Sequence, residues 1–179
     1  TSEYSLSMWI YMPTTGSYGR FLAGALNSGA ANGFYVSINT NGTGRFYLRP
    51  PTSTTSQIIG NIVMAPGQWH HFAVTSGSST NTLYINGQAD GTASRNTVNF
   101  GGPVTLGRAG SYSADYFPGN IDQVRIFNKE LSSSEVTTLY NETVSTVNTL
   151  QVLGDTSCVA TYQLDGNSTD LSGNYNSTD

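Results

Sequence analysis

Apolar residues recur at every second position through most of the first 127 residues, the period of a pleated strand whose two faces meet different surroundings. Leu6, Met8, Ile10 and Met12 share one face of a first strand, and Ser5, Ser7, Trp9 and Tyr11 share the other. Similar runs follow from Phe34 to Ile38, Arg45 to Arg49, Ile58 to Met64, Trp69 to Thr75, Thr82 to Asn86, Val104 to Gly107 and Ile121 to Phe127. Turn residues separate them: Asn41-Gly42, Pro50-Pro51, Pro66-Gly67, Asn86-Gly87, Gly101-Gly102-Pro103 and Pro118-Gly119. Asn86-Gly87 suits a type I′ hairpin, whose two central positions both need positive φ. Many short strands at this spacing predict an all-β fold, two antiparallel sheets packed as a β-sandwich of the jelly-roll kind. One helix breaks the pattern. Ser132 with Glu135 forms a capping box, Leu131 can staple onto Val136, and Val136, Leu139 and Tyr140 make an apolar stripe, so a short helix is expected from Ser133 to Asn141, lying on the sandwich. Residues 143–157 show no period and read as a connector; at Cys158-Val-Ala-Thr-Tyr-Gln-Leu a new extended run begins.

Composition adds a surface to this body. Only 10% of the 179 residues are charged, and 81 are Ser, Thr, Asn or Gly, so the exterior is polar without being ionic. Seven Lys plus Arg against eleven Asp plus Glu, with no basic cluster, leave nucleic acid without an electrostatic footprint. No stretch approaches the 18 or more apolar residues of a membrane span. Cys158 is the single cysteine, which excludes an internal disulfide. Four N-x-[S/T] sequons match the number expected by chance for this composition and carry no argument. An exterior of this kind suits an extracellular or virion-surface protein.

Three stretches carry a family resemblance. They are Ser5-Leu-Ser-Met-Trp-Ile-Tyr, then Gly67-Gln-Trp-His-His-Phe-Ala-Val-Thr with Leu83-Tyr-Ile-Asn-Gly-Gln, and Phe117-Pro-Gly-Asn-Ile-Asp-Gln-Val-Arg-Ile-Phe-Asn with Glu135 and Leu139-Tyr140. In this order the chain from residue 1 to about 141 resembles the laminin G-like jelly rolls of the concanavalin A-like lectin and glucanase superfamily. The resemblance implies the sandwich, but the fold hosts lectins, adhesion modules, glycosidases and spacers alike. The tail from Cys158 is similar to the strand that opens such a domain. That similarity implies a segment of a tandem array in a phage, viral or bacterial surface protein: residues 1–142 form a jelly roll lacking its own first strand, and 158–179 either open the next repeat or complete the open edge, in cis or in a neighbouring copy.

Glycosidases of this superfamily carry a Glu-x-Asp-x-Glu run on one strand face. Here the carboxylates are scattered, so no catalytic residues are expected. Related jelly rolls often hold a carboxylate at the position of Asp122 that caps a structural calcium or bonds a neighbouring loop. A calcium there would need further oxygens, from near Gly119, from Asp90 or from Asp165. Adjacent His70 and His71 face opposite sides of a strand and cannot chelate one ion together; Trp69 and His71, on one face, read as core. Sugars are held by aromatic faces and by polar groups for their hydroxyls. Two loop segments supply such groups, and Tyr18, Arg20, Arg108, Tyr112, Asp115 and Tyr116 are the candidate ligand rim; Arg45, Tyr47 and Arg49 share one strand face and could line a groove. The expected function is non-catalytic recognition or adhesion, with a glycan or cell-surface receptor as partner. The alternative is a structural spacer or self-assembly repeat, partnered by neighbouring copies through strand exchange.

Overall fold

The computed structural model describes residues 3–14, 18–24, 33–49, 56–95, 104–108, 115–142, 153–164 and 169–173. Alternating side chains become two antiparallel sheets. One runs β11 (Cys158–Tyr162), β10 (Asn120–Phe127), β1 (Tyr4–Tyr11), β6 (Trp69–Ser76), β7 (Thr80–Ile85), β8 (Gln88–Ser94). The other runs β5 (Ser56–Val63), β4 (Thr43–Arg49), β3 (Gly33–Ile38), β2 (Gly19–Gly24), β9 (Val104–Leu106). The sandwich expected from the alternation is present, with Leu6, Met8, Ile10, Phe72, Val74, Leu83, Ile85 and Val124 facing Phe21, Phe34, Val36, Ile38, Phe46, Leu48 and Ile58 in one core. Phe21 packs edge-on against Phe72 and Phe117 at centroid distances of 5.3 and 4.7 Å.

Local chemistry sets the connections. Asn86 and Gly87 have φ of 51° and 76°, the type I′ turn that the pair predicts. The Asn86 side chain also accepts the His71 N–H at 2.9 Å and lies 3.1 Å from His70 Nδ1. The helix α1 runs Ser133–Tyr140 with Asn141 as its C-cap, one residue shorter than expected, and both halves of the capping box form. Val136 and Leu139 bury with Leu131, Ala73, Tyr84, Phe127 and Cys158 on the outer face of the six-stranded sheet. Trp69 and His71 do share that outer face, but only His71 is buried. Trp69 is 43% exposed and leans on Tyr11. Trp69 lies at the strand end against Tyr11, whereas His71 packs beside Trp9 and the helical Tyr140. Two strands escape the alternation, β2 because of a bulge and β8 because Gln88–Ser94 carries almost no large apolar side chain.

Candidate functional site

The exterior of β2, β3, β4 and β5 is where the chemistry gathers. A bulge in β2 between Arg20 and Leu22 turns Phe21 and Leu22 both inward and leaves Arg20 outside, opposite Ser37. Register then builds two outward rows. Arg20, Ser37, Arg45 and Ile59 stand side by side across the four strands, and Ala23, Tyr35, Tyr47 and Gln57 form the parallel row. Tyr35 and Tyr47 stack with centroids 4.7 Å apart and planes 12° from parallel. The Arg20 guanidinium lies 4.2 Å from the Tyr35 centroid, and that of Arg45 lies 5.5 Å from Tyr35 and 5.1 Å from Tyr47. Each such cation–ring contact contributes about 0.5–2 kcal/mol. Together they bury Tyr35 and leave Tyr47 and Arg45 half-buried, with the Arg20 side chain 16% exposed. Burial and the neighbouring Tyr18 hydroxyl push the Tyr35 phenol well above its ordinary pKa.

Loops close over one side of this group. Arg20 pairs with Asp115 at 2.8 Å and donates from Nε to the Tyr18 hydroxyl at 3.3 Å. Its backbone N–H bonds the Asp115 carbonyl at 3.2 Å, and it bridges in parallel to Tyr116, which is 57% exposed. Of the expected rim, then, Tyr18, Arg20, Asp115 and Tyr116 converge. Arg108 is exposed on the turn after β9, where its carbonyl accepts the Thr105 hydroxyl at 3.3 Å. Tyr112 and the Arg49 side chain lie outside the described residues. Tyr35, Ser37 and Gln57 are additions that the sequence reading lacked; the alternation of β3 around Phe34 and Val36 was the available signal. Asp122 lies elsewhere: in β10 its carboxylate accepts the Gln123 N–H at 2.7 Å, beside a bulge opposite Trp9. Asp90 cannot join it on one ion. It sits in β8, four strand spacings or roughly 19 Å across the sheet, with Oδ1 accepting the N–H groups of Asn61 and Ile62 at 2.8 Å each. Asp165 is outside the described residues, and among those described no three His, Cys, Asp or Glu side chains group as a metal site.

The opposite exterior holds a second polar group beneath α1. His71 Nε2 is 2.8 Å from Ser7 Oγ, and Arg125 pairs with Glu142 at 2.6 Å, with Arg125 1% exposed. Burial and the Arg125 charge pull the His71 pKa down to about 3, so the ring is neutral at ordinary pH. A serine–histidine pair could activate a nucleophile, but both side chains are sealed off from solvent.

A laminin G family model, described as the concanavalin A-like lectin/glucanases superfamily, matches residues 1–137. The chain belongs to that superfamily. No curated protein sequence matches it. Among solved structures, this lectin/glucanase-type sandwich is similar to a putative carbohydrate binding protein from Bacteroides ovatus, with TM-score 0.70 and 14% identity over 98% of this chain and 51% of that one. It is also similar to the Ruminococcus gnavus IT-sialidase CBM40 bound to α2,3-sialyllactose, with TM-score 0.64 and 12% identity over 78% and 83%. A third is domain 4 of AbnA, a GH43 extracellular arabinanase from Geobacillus stearothermophilus, in complex with arabinotriose, with TM-score 0.61 and 22% identity over 78% and 67%.

In a superfamily that both binds and cleaves sugars, carboxylates decide what chemistry is available. Hydrolysis uses two carboxyls about 5–10 Å apart around the scissile bond. On the Tyr35 face the described carboxylate is Asp115, held by Arg20. Several other described acidic groups are engaged in structure. Glu135 and Asp155 share Lys129 Nζ at 2.5 Å each, Asp90 holds β5, and Asp170 accepts the Thr161 N–H. Hydrogen bonding to Lys129 and Ser157 lowers the Asp155 pKa to about 2, and the same carboxylates raise that of Lys129.

Proposed function

We propose that this chain is a non-catalytic glycan-binding module of an extracellular or surface-displayed protein, and that the exterior of β2–β5 is its binding face. The observation that carries this reading is the Tyr35–Tyr47 stack flanked by two partly buried arginines: ring faces for the apolar side of a sugar, planar donors for its hydroxyls. Tyr18, Tyr116 and Asp115 border it, with Arg108 and Tyr112 on the same chain segment as Asp115. Relatives of this fold whose solved complexes hold sialyllactose and arabinotriose support it. The test is a glycan array followed by calorimetric titration of the best hit. Tyr47→Ala and Tyr116→Ala are each expected to weaken binding at least 10-fold, about 1.4 kcal/mol, whereas Trp69→Ala on the other sheet leaves it unchanged. An empty array, or equal affinities throughout, would remove the reading.

A further inference from the structure

The charge balance of the β2–β5 face narrows the class of glycan, an inference that rests on the glycan-binding reading. Arg20 and Arg45 place their guanidiniums 4.2 and 5.5 Å from one ring, that of Tyr35. Asp115 answers Arg20 at 2.8 Å. No carboxylate among the described residues answers Arg45. Its described polar partner is the neutral Gln57 amide oxygen, 2.6 Å from one terminal nitrogen, and its Nε is shielded without a partner among the described residues. Between the two arginines in the cross-strand row stands Ser37, short, buried and with its hydroxyl likewise unpartnered.

Partly withdrawing a guanidinium from water without a counter-charge is unfavourable, and a second guanidinium on the same ring adds repulsion. Arg20, Arg45 and Asp115 leave this group one positive charge in excess, on a chain whose formal net charge is −4. A neutral sugar would leave that imbalance standing. A carboxylate would cancel it, because it matches a guanidinium with two parallel N–H···O bonds. We propose that the Arg45 guanidinium, with Arg20 beside it, receives the carboxylate of an acidic sugar, of uronic or sialic type, while Tyr47 carries the apolar side of its ring.

The experiment is calorimetric titration of the full chain with 3′-sialyllactose, with a galacturonate dimer and with neutral lactose. At least one acidic probe is expected to bind 10-fold or more tighter than lactose, with the advantage shrinking as salt rises to about 0.5 M. Arg45→Gln is expected to erase the preference for acid over neutral, and Arg45→Lys to keep part of it; melting curves confirm that both variants fold, and Arg45→Lys carries the test if Arg45→Gln does not. Binding of lactose as tight as that of both acidic probes, or a preference that survives Arg45→Gln, overturns this inference and leaves the glycan-binding reading intact. Failure of every glycan to bind, on the array as in the calorimeter, overturns both.

Discussion

Asp90 sits on β8 at the edge of one sheet, yet its described hydrogen bonds run to Asn61 and Ile62 on β5 of the other. One buried carboxylate therefore ties the two layers where no strand pairing can. Gly60 makes room for it, since a Cβ there would come within 1.9 Å of Asp90 Oδ2. Asp90→Ala is expected to cost about 2–4 kcal/mol, two charge-assisted hydrogen bonds to backbone donors, read from urea unfolding; a loss below about 0.5 kcal/mol would show that water replaces the carboxylate freely. This tie was invisible in the sequence, where Asp90 stood among scattered carboxylates and as one possible oxygen donor to a calcium at Asp122. The same limit applies to the candidate site. Arg45 and Tyr47 were legible because alternation within one strand fixes a shared face. Tyr35 gains its place from Tyr47, Arg20 and Arg45, partners on other strands, and only register brings them together.

At the scale of elements, α1 was legible to within one residue because its signals are local: the Ser132–Glu135 box, the Leu131 staple and a three-and-four apolar stripe. What could not be read was its fastening. Lys129, just before the helix, holds Glu135 on the helix and Asp155 on the segment leading into β11. Burial alone would raise Glu135, but the Lys129 ammonium and Ser132 donors bring its pKa below the ordinary value. Asp155 falls from 3.8 to about 2. A carboxylate depressed on folding adds stability above its unfolded pKa and loses it as pH falls through the folded one. The Asp155 contribution is therefore expected to be complete above about pH 4 and lost towards pH 2. Denaturant midpoints measured across that window should fall more steeply for the native chain than for Asp155→Asn, and parallel curves would rule the clamp out. The bulge in β2 explains why that strand was missed: placing Phe21 and Leu22 on the same side breaks the period of two that announces a strand.

For the molecule as a whole, two layers and one helix were legible because burial of alternate residues leaves few other solutions. The pairing of β11 was not, because the sequence allowed its strand to lie in cis, in a neighbour or unpaired. It lies antiparallel on β10, with Thr161 opposite Arg125 and Ala160 opposite Ile126, and its Cys158, Ala160 and Thr161 are buried. Deleting residues 158–179 would strip that edge, and bare edges recruit strands. The shortened chain is expected to self-associate with rising concentration in sedimentation velocity, and a peptide spanning residues 156–164 should suppress the association. A shortened chain that stays monomeric and equally stable would show the edge needs no cover. The helix, its buried ionic group and β11 all gather on or beside the six-stranded sheet, whereas the paired tyrosines and their arginines stand on the far side of the core. Anything that docks on the helical flank, including another copy of the chain, thus leaves the tyrosine flank clear, so that such docking and the proposed capture of a glycan need not compete.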